Sequence, residues 1–139
     1  MTVTRMRPEA RDDWAARLRS GAYPQGRRAL AVLEEGTGAV VGYCCLGVLC
    51  EAALEAGVAL EVGETAGNGG RLRTYDGESA VLPPAVIRWA GLRDANPAVV
   101  TMGRCPGTDG MRDGEWSLAG LNDDGRPFAE IAGLVEAQL

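Results

Sequence analysis

A chain of 139 residues, 46% of them hydrophobic, can bury about two-thirds of its unfolded surface, which predicts one globular domain over 1–139 and excludes wholesale disorder. A formal charge of −5 excludes a general duplex nucleic-acid binder, because duplex affinity comes from neutralising many phosphates. Histidine is absent and all 14 basic residues are arginine, which excludes Ser-His-Asp and Cys-His pairs, Schiff-base chemistry and a P-loop lysine.

Pro8 is placed to open a first helix, since a proline at N1 loses no intrahelical bond. Ala10, Trp14 and Leu18 recur at i, i+4 and i+8 and give that helix a narrow buried stripe; Ser20-Gly21 ends it. The loop that follows, residues 21–26, carries Tyr23 and Gln25 and is bracketed by Arg19 on one side and Arg27-Arg28 on the other. A strand over 29–33, a Glu34-Glu35-Gly36-Thr37-Gly38 loop and a strand over 39–45 make a first hairpin.

The second strand runs into Tyr43-Cys44-Cys45-Leu46-Gly47-Val48-Leu49-Cys50-Glu51-Ala52-Ala53-Leu54, the longest stretch with few polar atoms. Leu46, Leu49, Cys50 and Ala53 follow helical spacing, so a buried central helix is predicted, closed by Gly57. Residues 59–65 and 71–75 form a second hairpin about Asn68-Gly69. Arg71, Arg73 and Tyr75 alternate with Leu72 and Thr74, so one face of that strand is wet or meets an anion.

Pro83-Pro84 starts a short helix that Gly91 ends, with Leu92 beyond it for a Schellman contact. A strand over 98–102 precedes a Gly-, Asp- and Pro-rich loop over 103–114. After Glu115-Trp116 come a short helical turn, a tight Asn122-Asp123-Asp124-Gly125 turn and a final helix with Pro127 at N1. Phe128, Ile131, Ala132, Val135 and Leu139 make its apolar stripe, and close packing against a neighbour is the expected reason for Gly133 inside it. The fold class is therefore α+β: a largely antiparallel sheet of about five or six strands built from two hairpins and a later strand, with helices on one face.

No apolar run approaches the roughly 18 residues that span a bilayer, and residues 1–8 lack the apolar core of a secretory signal, so a cytoplasmic protein is expected. Cys44, Cys45, Cys50 and Cys105 fit a reducing compartment; they contain no Cys-x-x-Cys pair, so no metal site is assigned and the buried three read as small hydrophobes.

Trp14 with Leu18-Arg19-Ser20-Gly21-x-Tyr23-x-Gln25-Gly26, the stretch from Tyr43 to Cys50, Leu82-Pro83-Pro84-x-Val86-x-x-Trp89-x-Gly91-Leu92, Asn96-Pro97, and Leu121-Asn122-Asp123-x-Gly125-x-x-Phe128-x-x-Ile131-Ala132 resemble an uncharacterised family of small phage- and prophage-encoded proteins. The resemblance spans nearly the whole chain and implies provenance in a bacterial host cell, not an activity. Members of that family usually carry Ser or Thr where this chain has Pro127, which changes how the final helix is capped.

Charge is unevenly spread: residues 1–30 hold seven arginines against Glu9, Asp12 and Asp13, a net +4. Arginine's planar fork holds phosphate bidentately, so a small anionic ligand, such as a cyclic or linear nucleotide, suits this front end. Arg19, Arg27 and Arg28 would clamp the anion, Tyr23 would stack on a base, and Gln25 and Asn122 would read polar edges. On that reading the protein is a non-catalytic binder with no cofactor, of a kind a phage would use as a counter-defence sponge for a nucleotide-like immune signal. Self-association is compatible with a pocket built between subunits. Two other classes stand beside it. One is an inhibitor of a host factor that uses an acidic surface of Asp109, Asp113, Glu115, Asp123 and Asp124; the other is a hydrolase using paired carboxylates or Cys105 activated by Arg104.

Overall fold

The computed structural model describes residues 6–102 and 114–139. The first helix, α1 (Pro8–Arg19), starts on its proline and buries Ala10, Trp14, Ala15 and Leu18. Trp14 donates its indole N–H to the Cys45 carbonyl at 2.9 Å, so the buried ring keeps its one polar atom satisfied.

β1 (Ala31–Leu33) and β2 (Val40–Tyr43) pair antiparallel. The register slips between Val32 and Leu33, which leaves Val41 without a partner, in a β-bulge. Two residues later the chain becomes α2 (Cys45–Glu55), and eight of its 11 residues are buried, as expected for a helix that is apolar nearly all round. Gly57, at φ 96°, ends the segment.

β3 (Val62–Gly67) and β4 (Gly70–Tyr75) form the second hairpin, turning on Asn68 at φ 52° and Gly69 at φ 79°. Two successive positive φ angles match the right-handed twist of the strands, and Asn-Gly is the pair that tolerates them. β1 also pairs with β4, so the two hairpins join in one antiparallel sheet of order β2-β1-β4-β3.

α3 (Pro84–Ala90) ends at Gly91, φ 75°, and the Leu92 N–H closes on the Ile87 carbonyl at 3.0 Å, the Schellman arrangement. β5 (Ala98–Val100) and β6 (Glu115–Ser117) pair only with each other. The later strand thus does not extend the main sheet: among the described residues six strands divide into four and two. The reason lies at Val100, whose N–H and C=O are both held by the Gln138 side-chain amide at 2.7 Å, so a side chain stands where a neighbouring strand would.

α4 (Leu118–Asp123) is capped by Ser117, whose hydroxyl accepts the Gly120 N–H at 3.0 Å. In α5 (Phe128–Gln138), Pro127 stands one place earlier than N1, as the N-cap. Gly133 also departs from expectation: a methyl built there meets nothing within 4 Å, so packing does not require the glycine.

α2 is the hub: α1, α3 and α4 pack around it, and α5 lies along α1. One contiguous cluster of buried side chains runs from Met6 to Val135. No helix among the described residues is long and apolar enough to cross a membrane.

Candidate functional site

Four of the six residues expected to hold a ligand are engaged inside the molecule. Arg19, in the last turn of α1, ion-pairs with Glu136 of α5 at 2.5 Å. The partner's hydrogen bond raises the guanidinium pKa and holds the Glu136 carboxyl below its ordinary value. Tyr23 meets Tyr43 edge-on, ring centroids 5.3 Å apart, and its hydroxyl accepts from Arg17 at 2.7 Å. Gln25 donates its amide to Asn122 Oδ1 at 3.1 Å and to the Arg126 carbonyl at 2.7 Å.

Asn122 is fully buried and uses both ends of its amide. Oδ1 also accepts the Cys45 N–H at 3.2 Å, and Nδ2 donates to the Gly26 carbonyl at 2.7 Å. The amide thus ties the front loop, the first turn of α2 and the α4–α5 corner together. Gly26 and Gly42 touch backbone to backbone beside it, where a Cβ at Gly42 would lie 2.8 Å from the Gly26 Cα.

Arg27 and Arg28 differ from the other described arginines of the front end. Arg7, Arg11, Arg17 and Arg19 each have a carboxylate partner, whereas the exposed Arg27 and Arg28 guanidinium groups have none among the described residues. Arg27 lies over Gly125, at the corner between α4 and α5. Arg28 adopts φ 66°, while the other described non-glycine residues with positive φ, Asn68 and Asp76, are of the types that tolerate it. Its backbone is pinned from both sides: the N–H donates to Asp123 Oδ1 at 2.8 Å, and the carbonyl accepts from Asn68 Nδ2 at 3.0 Å.

The pinned arginine lines a cleft of about 190 Å³. Asp123 and Asn96 supply its other polar groups, and the small side chains of Ala29, Ala80, Val81 and Ala119 its walls. Asn96 Oδ1 accepts the Ala119 N–H at 3.1 Å, which leaves the amide NH₂ without a protein partner among the described residues. Cys44 lies beneath, 3% exposed. Burial pushes its thiol up to about 11, against the opposing pull of the Gly47 and Leu46 backbone N–H groups, so at neutral pH it is a neutral floor and not a nucleophile.

A second polar neighbourhood was not anticipated as a unit. Glu51 Oε2 accepts from the Tyr75 hydroxyl at 2.6 Å and from Arg73 at 3.2 Å, on the sheet face that α2 covers. The anion that the Arg73–Tyr75 face meets is therefore a carboxylate of the protein itself. Burial, then the Glu51 hydrogen bond, drives the Tyr75 pKa far up, and burial with the Glu51 charge raises Tyr43. The alternation of Arg71, Arg73 and Tyr75 marked the strand side of this contact, but pairing with Glu51 across the layers left no sequence signal. Beyond it, an open groove of about 520 Å³ sets Arg71 against Glu34, Glu35 and Glu64, an acidic balance that disfavours an anion.

Of the acidic residues noted in the sequence, Asp123 holds the Arg28 backbone and Asp124 pairs with Arg126 at 3.3 Å. Glu115 lies in β6, while Asp109 and Asp113, like Arg104 and Cys105, fall outside the described residues. No cluster of three or more His, Cys, Asp or Glu that could hold a metal ion occurs among the described residues.

No curated protein and no solved structure matches the chain. A family match does cover residues 6–139, nearly the whole length, and on it the chain belongs to the family described as Domain of unknown function (DUF8296).

Proposed function

We propose that this chain is a non-catalytic binding protein for a small anionic, nucleotide-like ligand, held at the cleft beside Arg28 with Arg27 as a second cation. One observation carries the reading. An arginine is kept in a backbone conformation that costs an L-residue on the order of 1 kcal/mol, braced at both its N–H and its C=O; it lines a concavity, and its exposed guanidinium has no carboxylate partner among the described residues. Such strain persists only where the surroundings over-determine it, and it concentrates at ligand clamps. The front-end role thus narrows from three arginines to two, with Arg19 serving as an α1–α5 tie and Asn122 and Gln25 as the brace behind the loop. With the resemblance to phage-type proteins, the reading makes the molecule a sponge for a nucleotide-like signal in the cytoplasm of a bacterial host.

Thermal melting at low salt, against inorganic phosphate and a panel of mono-, di- and cyclic nucleotides, tests it. A ligand that binds only the folded state raises the midpoint by mass action. We expect a nucleotide to do so, to be recovered chemically unchanged, and to lose its effect in Arg27→Ala/Arg28→Ala protein of native circular dichroism. Silence from every compound, normal binding by the double variant, or turnover of the ligand overturns the proposal.

A further inference from the structure

We infer that the cleft beside Arg28 reads a guanine ring, an inference that rests on the nucleotide-binding proposal and sharpens it. At about 190 Å³ the concavity is smaller than the roughly 300–1,000 Å³ of pockets that bury a whole drug-sized ligand, so it takes one ring or one phosphate. A phosphate inside would face the Asp123 carboxylate, which disfavours a second anion. A ring suits the walls: three alanines and a valine make an apolar slot without long side chains.

The edge groups choose among the bases. Asp123 is an acceptor with one of its two oxygens on the Arg28 N–H, leaving Oδ2 for a ligand donor. Asn96 has its acceptor oxygen on the Ala119 N–H and offers its NH₂. Asp123 and Asn96 both line the slot, so acceptor and donor face one concavity. Guanine complements this pair, showing adjacent N1–H and N2–H₂ donors to a carboxylate and its O6 acceptor to the amide. The phosphate then points outward toward the Arg28 and Arg27 guanidinium groups.

Calorimetric titration of the full chain with GMP, IMP, XMP, AMP and inorganic phosphate decides it. GMP should bind about tenfold or more tighter than IMP, which lacks the 2-amine, and tighter than AMP. Asp123→Asn keeps an oxygen for the Arg28 N–H but turns an NH₂ toward the ring, so it should move the preference from GMP to XMP, whose C2 carries a carbonyl. Asn96→Asp keeps the acceptor for Ala119 and loses the donor to O6, and should weaken GMP by a similar factor. If GMP, AMP and phosphate bind alike, or Asp123→Asn leaves the preference unmoved, the base assignment is wrong while the anion-binding reading stands. If neither nucleotides nor phosphate bind, both fall.

Discussion

The Gly47 α-carbon lies so close to the Leu30 main chain that a methyl built on it would sit 1.8 Å from the Leu30 carbonyl oxygen. That oxygen already accepts the Cys44 N–H at 3.1 Å, so the strand end and the first turn of α2 are clasped backbone to backbone. Nothing flexible stands in the contact, and relief requires moving a helix or a strand. Gly47→Ala should therefore cost about 3 kcal/mol or more, despite alanine's better helix propensity. Gly133, the glycine inside α5, has open space around it, so Gly133→Ala should gain on the order of 0.5–1 kcal/mol. Urea midpoints of the two variants should move in opposite directions.

Asn122 is the second fixed point. Alanine there strands the Cys45 N–H and the Gly26 carbonyl, both formerly bonded to the buried amide. Each unsatisfied buried group costs about 1–3 kcal/mol, so with two of them Asn122→Ala should lose roughly 2–6 kcal/mol, visible in chemical denaturation without any ligand. Gln25→Ala should cost clearly less, because Gln25 is exposed and water replaces its partners. A purely ligand-reading Asn122 would leave the denaturation midpoint of the alanine variant unchanged.

The elements were largely legible because each carries a local signal: prolines opening α1 and α3, Gly91 and Gly57 closing helices, Asn68-Gly69 turning a hairpin. The candidate site was legible only in part, because residue type does not say which partner a side chain meets. Tyr23 and Gln25 in a glycine-bearing loop, and Arg19 beside it, look like ligand contacts, yet their partners Tyr43, Asn122 and Glu136 come from 20 to 117 residues away and satisfy them internally. Arg28 is the reverse case. Its φ and its two backbone braces leave no trace in composition or period, and they distinguish it from the neighbouring Arg27.

The buried thiols predict how the protein behaves in alkali. Burial, first among the causes, raises Cys44 from its ordinary value near 9 to about 11, and raises Cys45 and Cys50 in the same direction. An unfolded chain loses these protons at lower pH than the folded one. The contribution to stability is therefore fully present below pH 9 and lost between about 9 and 11 for Cys44. Tyr75, raised further by burial and Glu51, adds a decline in the same direction at higher pH. Urea midpoints should hold steady to pH 9 and fall beyond it. In a Cys105→Ser background, Ellman's reagent at pH 8 should react with the folded protein only at the rate of global or local opening, and with three thiols once urea is added.

Arg28→Gly separates strain from function in one substitution. Glycine adopts φ 66° without the Cβ penalty, and it keeps the N–H bonded to Asp123 and the carbonyl bonded to Asn68. Relief of the left-handed penalty, about 1 kcal/mol, is opposed by the larger entropy of glycine in the unfolded chain, so stability should be equal to wild type or slightly higher. Binding should be lost, since the guanidinium proposed to hold the anion is gone. Arg28→Ala keeps the strain and removes the same charge, so it should match the glycine variant in binding and fall below it in melting temperature. If instead the arginine side chain held the fold, both variants would melt well below wild type. Equal melting of Arg28→Gly and wild type, paired with loss of nucleotide binding, is the signature of a residue strained for a ligand and not for the core.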